Sequence, residues 1–200
     1  MEQKKEKISI SKRKPNRKLD ILKAMVEMLQ HPHSRRITTK ELAEKLNLSE
    51  AALYRHFASK AQMYDALIDS VESTLMRMIN QIEESENSGL SQAYIVATSM
   101  ISMCRTQPGL PVLLAGDFLA SEDERLYKHI ELVLNAVRGR FRQCLRLAVM
   151  QGEITGEYQV DMRADLLLSL IIGQWTEFCK TGKVKEDDLL SQQIKFVIAP

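Results

Sequence analysis

At 200 residues, 44% hydrophobic and 27% charged, the chain has length enough for one large or two small domains with a proper core. Its three cysteines, Cys104, Cys144 and Cys179, are widely spaced and odd in number, and neither a secretory leader nor a long uncharged apolar run appears. A disulfide framework and a membrane segment are therefore excluded, and a reduced cytoplasmic setting with free thiols is expected.

The net charge of +2 hides an asymmetry. Residues 1–60 hold 15 Lys+Arg against 7 Asp+Glu, a balance of +8, whereas the remainder holds 13 against 19, a balance of −6. A basic head on an acidic body is better explained by a phosphate-bearing partner than by a uniformly solvated surface.

Residues 1–17 are polar, basic and interrupted by Pro15, the composition of an arm that is disordered when free. Lys12, Arg13, Lys14, Arg17 and Lys18 either add phosphate or minor-groove contacts or only aid solubility, and composition leaves both readings open. Ile21, Leu22, Met25, Met28 and Leu29 then recur at helical spacing and predict an amphipathic helix from Lys18 to Gln30. Pro32 ends it by disfavouring helical geometry at His31. His31 and His33 have no further ligand close by in sequence, so they read as an exposed loop rather than a metal site.

Residues 38–60, TTKELAEKLNLSEAALYRHFASK, predict two short helices joined by a tight turn and followed by the start of a third. Thr38 or Thr39 can cap the first, and Glu41 stands three residues after Thr38, the spacing of a capping box. Leu42, Ala43 and Leu46 make its apolar face, opposite Lys40, Glu41, Glu44 and Lys45. Asn47 falls where the chain must bend and tolerates a left-handed backbone. Ser49 caps the second helix, whose small Ala51 and Ala52 permit close approach to a major groove. Ser59 caps the third and leaves Lys60 in its first turn, a position suited to a phosphate oxygen. This is a helix-turn-helix unit, and double-stranded DNA is the partner it predicts.

Beyond it, Met63, Leu67, Val71, Leu75, Met78 and Ile82 predict a long helix from Ser59 to Glu84 joining head to body. Residues 83–89 read as a loop, 90–105 as a helix broken at Gln107-Pro108-Gly109, and 110–119 as a short helix. Ser121 can cap a long helix reaching Gln151, and Gly152 and Gly156 break the chain again. Asp165 to Lys180 is apolar around much of its circumference, and 186–198 is a final amphipathic helix. The fold class is all-α, with about nine helices: a flexible arm (1–17), a three-helix DNA-binding head (18–64) and a helical regulatory and dimerisation body (65–200). A helix apolar all round is buried on more than one side. Leu166, Leu170, Trp175, Phe178, Leu189, Ile194 and Val197 are accordingly candidates for core plus dimer interface, with an all-core monomer as the other possibility.

The run Thr39, Leu42-Ala43, Ser49, Leu53-Tyr54, His56-Phe57 and Ser59-Lys60 resembles the DNA-binding signature of the TetR family of bacterial regulators, with Asn47 where that family commonly has Gly. The resemblance implies a homodimer whose paired heads read a palindromic site. It also implies that Thr39, Tyr54, His56 and Lys60 face the phosphate backbone. Thr38, Lys40, Ser49, Glu50, Ala51, Ala52 and Arg55 complete the expected DNA-binding set. Arg55 suits either a guanine edge or a phosphate. Leu53 and Phe57 read as core of the head.

Three readings of the body follow. One is a ligand-controlled repressor, with a small-molecule effector in an apolar cavity and Met100 and Met103 as adaptable lining or ordinary core. In the second, residues 46–73, Arg105, Pro108-Gly109-Leu110, Leu114, Gly116 and Glu124-Arg125-Leu126 resemble the nucleoid occlusion branch of the same family. That branch implies a nucleoid-associated dimer acting on a tubulin-like division protein through the long helix and the next one, where Ser70, Met78, Ser99 and Ser102 lie. The third, an enzyme, is rejected because no glycine-rich phosphate loop, nucleophile elbow or metal cluster appears and His56 falls inside the DNA motif. No cofactor is expected.

Overall fold

The computed structural model describes residues 16–30, 37–115, 119, 123–156 and 159–199. Among them nine α-helices run in chain order: α1 (Arg17–Met28), α2 (Thr39–Lys45), α3 (Glu50–Tyr54), α4 (Lys60–Ser85), α5 (Gly89–Thr106), α6 (Gly109–Ala115), α7 (Glu124–Met150), α8 (Val160–Thr181) and α9 (Asp187–Ile198). The all-α class is as expected. The expectations for the arm up to Pro15, for His31 to His33, for Gly116 and for a cap at Ser121 lie outside the described residues.

The head closes on a small apolar centre. Ile21 and Met25 of α1, Leu42 of α2, Leu53 of α3 and Met63 of α4 are each at most 1% exposed. Phe57 joins them at 4%, so Leu53 and Phe57 are core, as their spacing predicts. Burying side chains of this size stabilises the head by about 1.5–3 kcal/mol each.

α4 carries the chain out of the head. Its buried residues are Met63, Tyr64, Leu67, Ile68, Val71, Leu75 and Ile79. The expected stripe ends on Met78 and Ile82, which are only half-buried. Steps of four advance the facing side by about 40° per turn. Because α4 leaves α1 and then packs on α5 and α7, its buried face rotates with its neighbours.

The body is a bundle of α5, α7, α8 and α9, with α6 packed on α8. Trp175 of α8 is 0% exposed and donates its Nε1–H to the Met100 carbonyl of α5 at 3.0 Å. Two glycines fix how closely helices meet. A Cβ on Gly89 would lie 2.3 Å from backbone atoms of Ala148 and Cys144, so the start of α5 abuts α7 where only glycine fits. A Cβ on Gly109 would lie 2.4 Å from the Val26 carbonyl, which presses the start of α6 onto α1 of the head.

The turn after α7 completes the start of α5. The backbone N–H of Gly89 donates to Gln151 Oε1 at 2.9 Å, and that of Leu90 to Glu153 Oε2 at 3.0 Å. These contacts satisfy donors that the first turn of a helix leaves without partners. α7 itself is capped by Asp123, whose Oδ1 accepts from the Arg125 N–H at 2.9 Å. α8 begins at Val160, five residues before the expected Asp165, and ends at Gly182 in left-handed geometry with φ 69°.

Candidate nucleic-acid interface

The helix-turn-helix is held by its caps. Thr38 Oγ1 accepts from the Glu41 N–H at 3.2 Å, while the Glu41 carboxylate accepts from the Thr38 N–H at 3.1 Å and from its hydroxyl at 2.8 Å. These bonds hold the Glu41 carboxyl below its ordinary range, the hydroxyl contributing most and the backbone N–H next. Between alternatives Thr38 and Thr39, the structure makes Thr38 the cap of α2. Asn47 bends the chain at φ 52°, in the left-handed region anticipated for it. Ser49 then caps α3 by accepting from the Ala52 N–H at 3.2 Å.

The Thr39 hydroxyl donates to Glu50 Oε2, which ties the start of α2 to the start of α3. A phosphate contact is the role expected of Thr39; in the chain alone its proton is engaged by Glu50. Ser49, Glu50, Ala51, Tyr54 and Arg55 are exposed, as are Thr38 and Lys40, whereas Thr39, Ala52, His56 and Lys60 are half-buried. The α3 surface is thus presented outward, while Leu53 points into the head and holds it.

Ser59 caps α4 through the Gln62 N–H at 3.1 Å, and Lys60 occupies the first turn. Its ammonium lies 5.7 Å from the ring centre of Tyr64, and that of Lys18 lies 5.4 Å from the ring centre of Phe57. Packing over a ring fixes the position of a long cationic side chain.

The two apolar helices at the C-terminal end divide unequally. Trp175 and Ile194 are 0% exposed and Phe178 6% within the single chain. These three belong to the core of the body itself, the core part of the set expected to serve as core plus interface. Leu166 and Leu189 are about half exposed, and Leu170 and Val197 are partly buried. Phe196 is 86% exposed beside Leu170, Leu189 and Val197 around one groove. Phe196 is absent from the expected set, although it falls seven residues after Leu189 and so shares its face of α9.

Met100 and Met103 are 0% and 4% exposed, ordinary core rather than pocket lining. Burial pushes the thiols of Cys104 and Cys144 up to about 12, so both stay protonated and unreactive at neutral pH. An apolar groove of about 370 Å³ runs between α1, α4 and α6, lined by Leu22, Val26, Leu67, Ser70, Val71 and Leu110 among others. No helix among the described residues is long and apolar enough to cross a membrane.

Residues 21–67, the head just described, match the family of bacterial regulatory proteins called tetR, and residues 87–198 match the tetracyclin repressor-like C-terminal domain. The chain belongs to the TetR family. It is 36% identical over 173 residues to a nucleoid occlusion factor, SlmA, of Idiomarina loihiensis, covering 86% of this chain and 88% of that one. The SlmA of Marinomonas is 33% identical over 185 residues, covering 92% and 94%. A TetR transcription regulator of Haloarcula marismortui superposes with a TM-score of 0.78 at 16% identity, over 92% of this chain and 96% of that one. TetR-family membership agrees with a non-catalytic, DNA-binding reading of the head.

Proposed function

We propose that this chain is a nucleoid occlusion factor: a homodimer that binds sites dispersed over the chromosome and, when bound, restrains assembly of the tubulin-like division protein. The observation that carries the proposal is the extent of the likeness to SlmA proteins. It runs at 31–36% identity through head and body together rather than stopping at the helix-turn-helix. A DNA-binding head alone is common to regulators with many kinds of body. A body alike over most of its length argues for a shared use of that body.

The exposed face of α8 and α9 is the surface for the second copy. Leu166, Leu170, Leu189, Phe196 and Val197 present apolar side chains that a monomer leaves in water. Packing them on their two-fold equivalents places two α3 helices to read a palindrome. Thr39, Tyr54, His56 and Lys60 grip phosphates with Thr38 and Lys40 beside them, while Arg55 with Ser49, Glu50, Ala51 and Ala52 addresses the groove. Localisation then follows: a cytoplasmic protein resident on the nucleoid.

Selection and sequencing of genomic fragments bound by the purified protein, paired with a polymerisation assay of the division protein, tests this reading. The expected result is many sites, sparse near the replication terminus, and polymers antagonised only when those DNAs are present. A few sites beside neighbouring genes, with polymerisation untouched in either condition, would instead establish a local repressor. The groove between α1, α4 and α6 would then be the place to look for its effector.

A further inference from the structure

His129 of α7 faces three carboxylates on one stripe of α4. Asp65, Asp69 and Glu72 follow one another at four and three residues, the spacing that stacks side chains along one helix face. His129 Nδ1 lies 2.8 Å from Asp65 Oδ1, and Nε2 lies 3.4 Å from Asp69 Oδ1, with the imidazole only 20% exposed. Asp69, Glu72 and His129 each offer a ligand atom within 4.8 Å of the other two.

The geometry separates the roles of the two ring nitrogens. An ionised carboxylate only accepts, so the short contact to Asp65 puts a proton on Nδ1. That bond orients the ring so that Nε2 points toward Asp69 and Glu72. A carboxylate that orients a histidine from behind is the arrangement that supports metal-ligating imidazoles. The 3.4 Å between Nε2 and Asp69 is long for a charge-assisted hydrogen bond. It matches the edge of a tetrahedral coordination sphere, where two ligand atoms each about 2.05 Å from the ion stand roughly 3.3 Å apart. Three carboxylates around one imidazole also leave an excess of negative charge, which Arg125, interacting with Asp65, offsets only in part.

We propose that Asp69, Glu72 and His129 bind a divalent first-row metal ion, with Asp65 holding the imidazole in register. One imidazole with two carboxylates suits zinc by ligand type, with water free to complete the sphere. The ion joins α4, which leads out of the head, to α7 of the body. Such a clamp is independent of the function proposed above and holds whether or not the division protein is a partner.

Chelator-treated full-length protein titrated with Zn²⁺ by calorimetry tests it, with Co²⁺ absorption reporting coordination. Wild type is expected to take one ion per chain saturably. His129→Asn and Glu72→Gln are each expected to weaken binding about tenfold or more, and Asp65→Asn by about 10–100-fold. A His31→Ala/His33→Ala variant should bind as wild type does. Glu72→Gln is isosteric, so it decides the matter should His129→Asn lose the fold by circular dichroism. Absence of saturable binding by wild type, binding that survives Glu72→Gln, or a loss that follows His31 and His33 instead would overturn the site.

Discussion

The head and the body of this protein are both helical, yet they are organised by different physics. In the head, short helices are held by local devices: the reciprocal Thr38–Glu41 box, the Asn47 bend and the Ser49 and Ser59 caps all act within four residues. In the body, the long helices α5, α7 and α8, of 18, 27 and 22 residues, are held by contacts far apart in sequence, such as Trp175 to Met100 or Gly89 against Ala148. The contrast teaches that a recognition surface can be written in a short stretch, whereas a regulatory surface depends on which long faces end up covered.

Breaking the body from within gives the largest expected effect. Trp175→Ala removes a fully buried indole together with its bond to the Met100 carbonyl, and it should cost about 3–5 kcal/mol of stability. Thermal or urea unfolding checks this. Retained affinity for DNA in the folded fraction would show that the head does not lean on this core.

Charging the outer face of α8 and α9 asks whether the body acts through a second copy. Phe196→Asp with Leu189→Asp should leave the monomer fold intact, since both side chains already stand at the surface. Sedimentation should then report a monomer at micromolar protein, and affinity for a full site should fall at least about tenfold, or 1.4 kcal/mol. A wild type that sediments as a monomer would defeat the dimer outright.

Within the head, Lys60 and Arg55 separate grip from reading. Lys60→Ala should weaken specific and non-specific binding alike and reduce the salt slope by about 1. Arg55→Ala should cost about 1–3 kcal/mol and relax preference at one position if the guanidinium meets a base. A uniform loss would assign it to phosphate instead. Competition binding over a salt series resolves both.

The smallest effect concerns the box that starts α2. Thr38 holds the Glu41 carboxyl below its unfolded value, so the stabilisation is present above the ordinary carboxylate range and is lost as pH falls through the folded value. The difference in melting temperature between wild type and Glu41→Gln should be visible at neutral pH and shrink as the pH falls below the ordinary carboxylate range. A gap that persists in acid would mean that charge plays no part in the cap.

Much of this is legible in the chain itself. Caps, turns and helical periodicity depend on residues three or four apart, so the helix-turn-helix, its α3 and its left-handed Asn47 follow from residue order alone. The breaks at Gly109 and Gly152 are visible there too. Why Gly109 must be glycine is not, because the Val26 carbonyl that excludes a Cβ lies in another helix. The expected start of α8 falls five residues late because its first turn lacks a side-chain cap, so no local signal marks it.

The amino-acid order determined, by short-range hydrogen bonding and periodicity, that the chain is helical, that its basic end reads as a nucleic-acid binder and where most helices begin and end. Only the tertiary structure decided which faces of the apolar helices are spent on the chain's own core. It alone sank Trp175, Phe178 and Ile194, left Phe196 in water, and brought His129 to Asp65 and Asp69 across some sixty residues. Burial and side-chain proximity between distant segments are set by how helices pack, and no spacing along a chain encodes them.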